Sequence, residues 1–231
     1  MIPKILLATP INKRKEPVIW EWLEFIKTLT YPVDVLLIDN SEDANWHKRI
    51  KGFKVVRIEP KGFPAQYITQ CQEYARQYAL HYGYDFMFSL ECDNFAQPDI
   101  VERMLWYRVD NLNVPYFLDS DIKTTLGIQI QGYAIGQHKK LSIMPRMQTL
   151  NHVDGKIKPY HAPSIGCSLF SRTLLQKIKF RYDPKDMTKF SDSFWHIDSA
   201  AAGITPYVAT GLISEHKRQT QWDGLAYKLS K

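Results

Sequence analysis

Glu91 and Asp93 stand one residue apart, directly after the apolar run Phe86-Met87-Phe88-Ser89-Leu90. At the end of an extended strand alternate side chains point the same way, so both carboxylates face one cleft. Two carboxylates held that close repel each other unless a shared proton or a cation lies between them. A divalent ion removes the conflict, and Mg2+ or Mn2+ commonly takes one or two carboxylates together with substrate phosphates. Taken alone, the pair would equally suit a solvated acidic loop. It does not stand alone: Thr9-Pro10-Ile11-Asn12 and Asp39-Asn40-Ser41-Glu42-Asp43 close apolar runs in the same manner.

The elements that must position these clusters alternate between strand and helix patterns. Lys4–Ala8 predicts a first strand that ends at Thr9-Pro10. Ile19, Trp22, Leu23, Ile26 and Leu29 fall on one face at helical spacing. Val33–Ile38 is a continuous apolar strand, Lys54–Ile58 a third short one, and Phe86–Leu90 a fourth. Between the last two, Ile68, Cys71, Ala75, Tyr78 and Tyr82 mark a long amphipathic helix, with Gly83 placed to cap its C-terminus. This alternation predicts an α/β fold, a mostly parallel sheet flanked by helices on both faces. In such open sheets ligands bind at the carboxyl ends of the strands, where the three polar clusters lie. The second half is less regular. It predicts strands at Gly127–Ile130, Cys167–Phe170 and Leu212–Ser214, a helix starting at Ser171, and a short helix over Ile197–Ala202.

At 231 residues the chain can bury one sizeable core. Hydrophobic residues at 45% and charged residues at 23% are ordinary for a globular protein. No apolar run approaches the ~20 residues of a membrane-spanning helix, and the first residues lack the cleavage site of a signal peptide. Cys71, Cys92 and Cys167 are odd in number and widely spaced, which predicts neither a disulfide framework nor a structural zinc site and fits a cytoplasmic setting. A net charge of +6 suits an anionic small substrate, a membrane surface or nucleic acid. The basic residues are spread along the chain rather than stacked in a patch, which weakens the last of these.

The order of these segments resembles family 2 of the GT-A glycosyltransferases. The residues that carry the likeness are Ile5–Pro10, Val35–Asp43, Tyr84–Asp93 and Pro98-Asp99 in the first half. In the second half they are Gly166–Arg172, Phe190–Phe194 with the later Gly203, and Ser214-Glu215-His216. The likeness runs from about residue 4 to 217, and it rests on the order and spacing of short motifs. It implies a GT-A-like (Rossmann-like) sheet with a small antiparallel acceptor-side portion, in one domain over 1–231. A nucleotide-sugar-binding half would span about 1–97, an acceptor-binding half about 98–216, and a tail 217–231. It further implies that Thr9 and Pro10 line a nucleotide pocket and that Asp39 contacts the base or ribose. Asp93 would bind the metal, Glu91 the ribose or a metal-bound water, and His216 would complete the metal site. The chain departs from the family in having Glu at position 91 and Ser191-Asp192 where many members have Glu-Asp.

The activity so implied is transfer of a sugar from a UDP- or GDP-linked donor to an acceptor hydroxyl of a glycan or lipid, with inversion and with Mn2+ or Mg2+ as cofactor. Asp192 is the expected base, with Asp198 as its rival on the predicted short helix. Trp195, beside Asp192, is the expected stacking platform for the acceptor sugar, and Trp222, Tyr207 and Tyr227 are further aromatics of that kind. Lys61 lies where a loop enters the long helix and could meet phosphate, although an ordinary loop would look the same. Cys92 is expected to pack inward rather than to react. The basic, aromatic run Lys217–Trp222 would serve either as a lid over the diphosphate or as a peripheral contact with an anionic membrane. Two other functions compete: a sugar-phosphate nucleotidyltransferase and a basic nucleic-acid-binding protein. The first would need a glycine-rich loop after the first strand, which Thr9-Pro10-Ile11-Asn12 is not; the second rests on charge alone.

Overall fold

The computed structural model describes residues 2–118, 132–133, 155–160, 162–185 and 191–217. The predicted strand at Gly127–Ile130 lies outside them, as do Trp222, Tyr227 and the rest of the tail beyond Lys217.

Thirteen strands form among the described residues. The first six are β1 (Ile5–Ile11), β2 (Asp34–Asp39), β3 (Lys54–Arg57), β4 (Phe86–Leu90), β5 (Asn94–Phe95) and β6 (Asn111–Asn113). They are followed by β7 (Tyr116–Leu118), β8 (Gly132–Tyr133), β9 (Ile157–Pro159) and β10 (Ala162–Pro163). β11 (Cys167–Ser171), β12 (Tyr207–Ala209) and β13 (Ser214–His216) complete the set. The helices are α1 (Glu16–Phe25), α2 (Pro64–His81), α3 (Ile100–Trp106), α4 (Arg172–Lys177) and α5 (Ser191–Ala201).

The main sheet runs β3-β2-β1-β4-β11-β6-β12-β9. Its first four strands are mutually parallel, and β6 is parallel to β12. Antiparallel pairing is confined to β11 against β4 and β6 and to β9 against β12. A small three-stranded sheet, β5-β13-β7, and the pair β10-β8 lie apart from it.

The strands read as unbroken apolar runs because both faces of the sheet are covered. Side chains alternate between two cores. Ile5, Leu7, Leu37, Phe88, Leu90 and Leu169 face one core, where they meet Ile19, Trp22 and Leu23 of α1 and Ile100, Val101 and Met104 of α3. Leu6, Ala8, Leu36, Ile38, Met87 and Phe170 face the other, against Cys71, Ala75 and Ala79 of α2 and Leu174 and Leu175 of α4.

Several boundaries shift from the sequence expectation. β1 continues through Thr9-Pro10 to Ile11, because its ladder with β4 has ended at Ala8↔Ser89 and only β2 accompanies it further. Pro10, which has no N–H to donate, is therefore tolerated there. α1 ends at Phe25 and passes into a single 3-10 turn over Ile26–Thr28. Gly83 closes α2 as expected: it adopts φ 72°, and the Tyr84 amide reaches back to the Ala79 carbonyl at 3.0 Å. Ser171 caps α4 by accepting from the Leu174 amide at 3.2 Å. The helix expected over Ile197–Ala202 starts earlier, at Ser191, and so carries Asp192 in its first turn, where the helix dipole favours an acid. The late strand starts at Ser214 rather than Leu212, and Leu212 is buried in the core.

Trp195 does not form the expected acceptor platform. Its side chain is 0% exposed and stacks on Phe180 at 3.9 Å between ring centroids, with Phe170 at 4.9 Å. Its place in α5 turns it onto the sheet, so the ring has no face to offer a sugar. Trp195→Ala should therefore lower stability by about 3–5 kcal/mol, read from urea unfolding midpoints. An unchanged midpoint would contradict this placement.

Candidate active site

The carboxyl ends of β1, β2 and β4 open onto one cavity of about 420 Å3. Pro10, Asn12 and Lys15 border it from the first strand end, Asn40 from the second, and Glu91, Cys92 and Asp93 from the fourth. α2 contributes Tyr67 and Gln72, the start of α5 contributes Ser191 and Asp192, and β13 contributes His216.

Local hydrogen bonds fix each wall. Asn12 donates to the side-chain oxygen of Asn40 at 2.7 Å and to its carbonyl at 3.0 Å, which ties the first loop to the second. Asn12 also caps the 3-10 turn Lys13–Lys15 by accepting from the Arg14 amide at 3.0 Å. That turn delivers Lys15 to the cavity. After β4 the chain folds back tightly, the Asn94 amide bonding to the Glu91 carbonyl at 2.8 Å. β5 then pairs antiparallel with β13, so that His216 lies opposite Asn94. The Lys217 amide donates to the Asp93 carbonyl at 2.8 Å. On the far wall the Ser191 hydroxyl donates to Gln72, holding the start of α5, and with it Asp192, against α2.

Glu91, Asp93 and His216 offer ligand atoms that all lie within 4.8 Å of one another. His216 Nε2 is 3.3 Å from Asp93 Oδ2, and the Lys15 ammonium contacts the same oxygen. Asp93 is 1% exposed, and its other oxygen, Oδ1, is buried without a hydrogen-bond partner. A buried carboxylate oxygen left unpaired is costly, and a cation beside it would relieve that cost. Two carboxylates and an imidazole are together donors that could hold a divalent metal ion.

The electrostatics follow from burial and crowding. Burial, then the neighbouring Asp93 charge, pushes the Glu91 carboxyl up to about 7 against the opposing pull of Lys15. Burial also raises Asp192, although the Ser193 amide donates to it at 2.7 Å. Burial by itself would lower Lys15, but Asp93 outweighs it and keeps the ammonium firmly charged. Burial and the Asp93 charge hold the Cys92 thiol well above its ordinary range, in keeping with an inward-packing residue rather than a nucleophile.

The structure thus brings Pro10, Glu91, Asp93, Asp192 and His216 to one cavity and leaves other expected residues off its wall. Thr9 is 1% exposed and turns its hydroxyl to the Pro10 carbonyl at 3.3 Å. Asp39 is fully buried behind Asn40. Its Oδ1 accepts from the Ser41 amide at 2.9 Å and its Oδ2 from Arg57 at 3.1 Å, so it holds the loop rather than facing a ligand. Asp198 pairs with Arg181 at 2.6 Å and does not border the cavity. Lys61 is exposed and also off the wall, and Tyr207 packs against the core. Lys15, Tyr67 and Gln72 border the cavity although the sequence did not single them out. The basic run Asn12–Lys15, directly after the first strand, was the one available signal.

No family model matches the sequence, and no curated protein matches it. Solved structures do match. A197 from STIV is 17% identical, with a TM-score of 0.50, covering 93% of this chain and 85% of that one. S. aureus TarS 1-349 in complex with UDP-GlcNAc is 12% identical, with a TM-score of 0.56, covering 95% of this chain and 60% of that one. CMP:2-keto-3-deoxy-manno-octonic acid synthetase complexed with CTP is 10% identical, with a TM-score of 0.55, covering 98% of each chain. At these identities the likeness is one of fold. The fold is α/β and GT-A-like, a mostly parallel sheet flanked by helices. Among the described residues no helix is long and apolar enough to cross a membrane.

The raised Glu91 carboxyl has a consequence for stability. Between its ordinary value of 4.5 and about 7, the folded chain keeps a proton that the unfolded chain has released. Stability attributable to this group therefore falls as pH rises through that window. Glu91→Gln should match the wild type near pH 4 and exceed it by roughly 1–3 kcal/mol near pH 8. A gap in urea midpoints that does not change with pH would exclude this origin.

Proposed function

We propose that the chain transfers a sugar from a nucleoside-diphosphate sugar, UDP- or GDP-linked, to an acceptor hydroxyl on a glycan or lipid, with inversion at the anomeric carbon. The observation that supports this most is the convergence of Glu91, Asp93 and His216 within 4.8 Å, in a cavity that Asp192 also borders. Mn2+ or Mg2+ held by these three residues would neutralise the diphosphate as a Lewis acid and a template. Pro10, Asn12, Asn40 and Tyr67 form the part of the wall suited to the nucleoside. Asp192 accepts the proton of the acceptor hydroxyl as its oxygen attacks the anomeric carbon. The bond from that carbon to the terminal phosphate oxygen breaks, and the nucleoside diphosphate leaves with the electron pair. A carboxylate whose pKa is raised by burial is a better base for this step than an exposed one. TarS, which shares the fold, is described with UDP-GlcNAc bound, which agrees with a nucleotide-sugar donor. A cytoplasmic setting, with peripheral contact at a membrane through the basic tail, belongs to the same proposal.

The whole-chain likeness to CMP:2-keto-3-deoxy-manno-octonic acid synthetase favours nucleotidyl transfer as a second reading. The two differ in what is released: a nucleoside diphosphate in the first, pyrophosphate from a nucleoside triphosphate in the second. Nucleic-acid binding is the weaker fit, since Glu91, Asp93 and Asp192 border one cavity and would repel a phosphate backbone unless metallated.

Calorimetric titration with UDP and with GDP, each with and without Mn2+, should show binding of one diphosphate that depends on the metal. Asp93→Ala should weaken it on the order of a hundredfold. No binding of either nucleotide with metal present would remove the donor-site assignment. Once a donor and acceptor pair is in hand, Asp192→Asn should lower kcat by roughly 10²–10⁴ with KM little changed. Full turnover by that variant would eliminate Asp192 as the base.

A further inference from the structure

Lys15 and His216 meet on the same Asp93 oxygen, Oδ2, and Asp93 Oδ1 beside them has no hydrogen-bond partner. Lys15 is not an incidental surface lysine. Its side chain is 24% exposed. The 3-10 turn that carries it is capped by Asn12, tied through the Lys13 amide to Ser41 at 2.8 Å, and followed at once by the first residue of α1. Its neighbours are committed elsewhere: Lys13 pairs with Asp43 at 3.0 Å and Arg14 with Glu42 at 2.7 Å. Arg14 also borders the cavity, but of these three consecutive basic residues Lys15 is the one whose ammonium contacts Asp93. An ammonium on Oδ2 and a divalent cation on Oδ1 of one buried carboxylate lie close enough to repel each other strongly.

We infer that Lys15 is a built-in counter-ion that competes with the divalent metal for Asp93 and yields it when a nucleoside diphosphate enters the cavity. The inference rests on the metal reading proposed above. Without nucleotide, the ammonium neutralises Asp93 and keeps metal affinity low. A diphosphate offers Lys15, which borders the same cavity, an alternative anion. Transfer of the ammonium from Asp93 to phosphate removes its repulsion of a divalent ion held at the Asp93 carboxylate. Metal and nucleotide then bind cooperatively, and by reciprocity each raises the affinity of the other by the same factor. Lys15 is thus a positioning residue. Its effect is to make metal loading conditional on the substrate's leaving group, so that the carboxylates are never left bare and the metal is not held idly.

The test is calorimetric titration of Mn2+ into the full chain, with and without UDP or GDP, on wild type, Lys15→Met, Lys15→Arg, Lys13→Met and Asp93→Ala, with circular dichroism to confirm folding. Lys15→Met should bind Mn2+ without nucleotide roughly tenfold or more tightly than wild type, and the nucleotide should enhance its metal affinity correspondingly less, factors within the usual range of such couplings. Lys15→Arg keeps the positive charge at Asp93 and should stay close to wild type. Lys13→Met removes the same charge from the same turn without touching Asp93. A gain in that variant equal to the gain in Lys15→Met would reduce the effect to net charge and overturn the inference. Mn2+ binding that Asp93→Ala abolishes, but that Lys15→Met leaves at the wild-type level, would overturn it while leaving the metal site standing. Failure of every folded variant to bind Mn2+, with or without nucleotide, would remove the metal reading itself and this inference with it.

Discussion

The site is organised by one constraint: Asp93 is buried, and a buried carboxylate must have positive charge beside it. Removing one partner from such a pair costs on the order of 3–5 kcal/mol, because the remaining charge is left uncompensated. Lys15 from the first loop answers to that need, and the last strand sets the His216 imidazole against the same oxygen. The parts of the chain that carry them are otherwise unrelated in sequence. The Asn12–Asn40 amide contacts, the capped turn and the β5–β13 pairing are the local means by which two distant segments are brought to one oxygen.

The sheet makes this arrangement affordable. It separates two apolar cores that are packed independently, one under α1 and α3, the other under α2, α4 and α5. The apolar residues at the strand ends, Ile11, Leu90 and Cys92 among them, pack into the cores, while the polar residues beside them border the cavity. The same division explains why Trp195 is structural although it stands three residues from Asp192. One helical turn carries both, but Trp195 points onto the sheet and Asp192 borders the cavity.

Much of the first half was legible because its signals are strong and local. Runs such as Leu36-Leu37-Ile38 and Phe86-Met87-Phe88 permit little besides buried strands, and Gly83 marked the end of α2. The second half was harder for physical reasons. β6 is Asn111-Leu112-Asn113, and asparagine is a poor strand former. It is held there because Asn111 donates to Ser199 at 3.0 Å and Asn113 accepts from Ser168 at 2.7 Å, long-range partners that no local pattern announces. The carboxylates and His216 could be picked out by type and order. Thr9 and Asp39, which the family likeness placed at the nucleotide pocket, are buried and do not border the cavity, because local partners take up their polar atoms. Lys15 was missed because one of three consecutive basic residues looks like solvated surface until the turn that aims it is seen.

The pairing of β13 with β5 also bears on when the site comes into being during synthesis. Glu91 and Asp93 leave the ribosome long before His216, and the strand that brings His216 alongside is among the last of the described elements to be made. The pairings among β1, β2, β3 and β4 involve nothing beyond residue 90, whereas the imidazole arrives only with β13. The three candidate ligand groups are thus assembled only once β13 has been made and paired with β5.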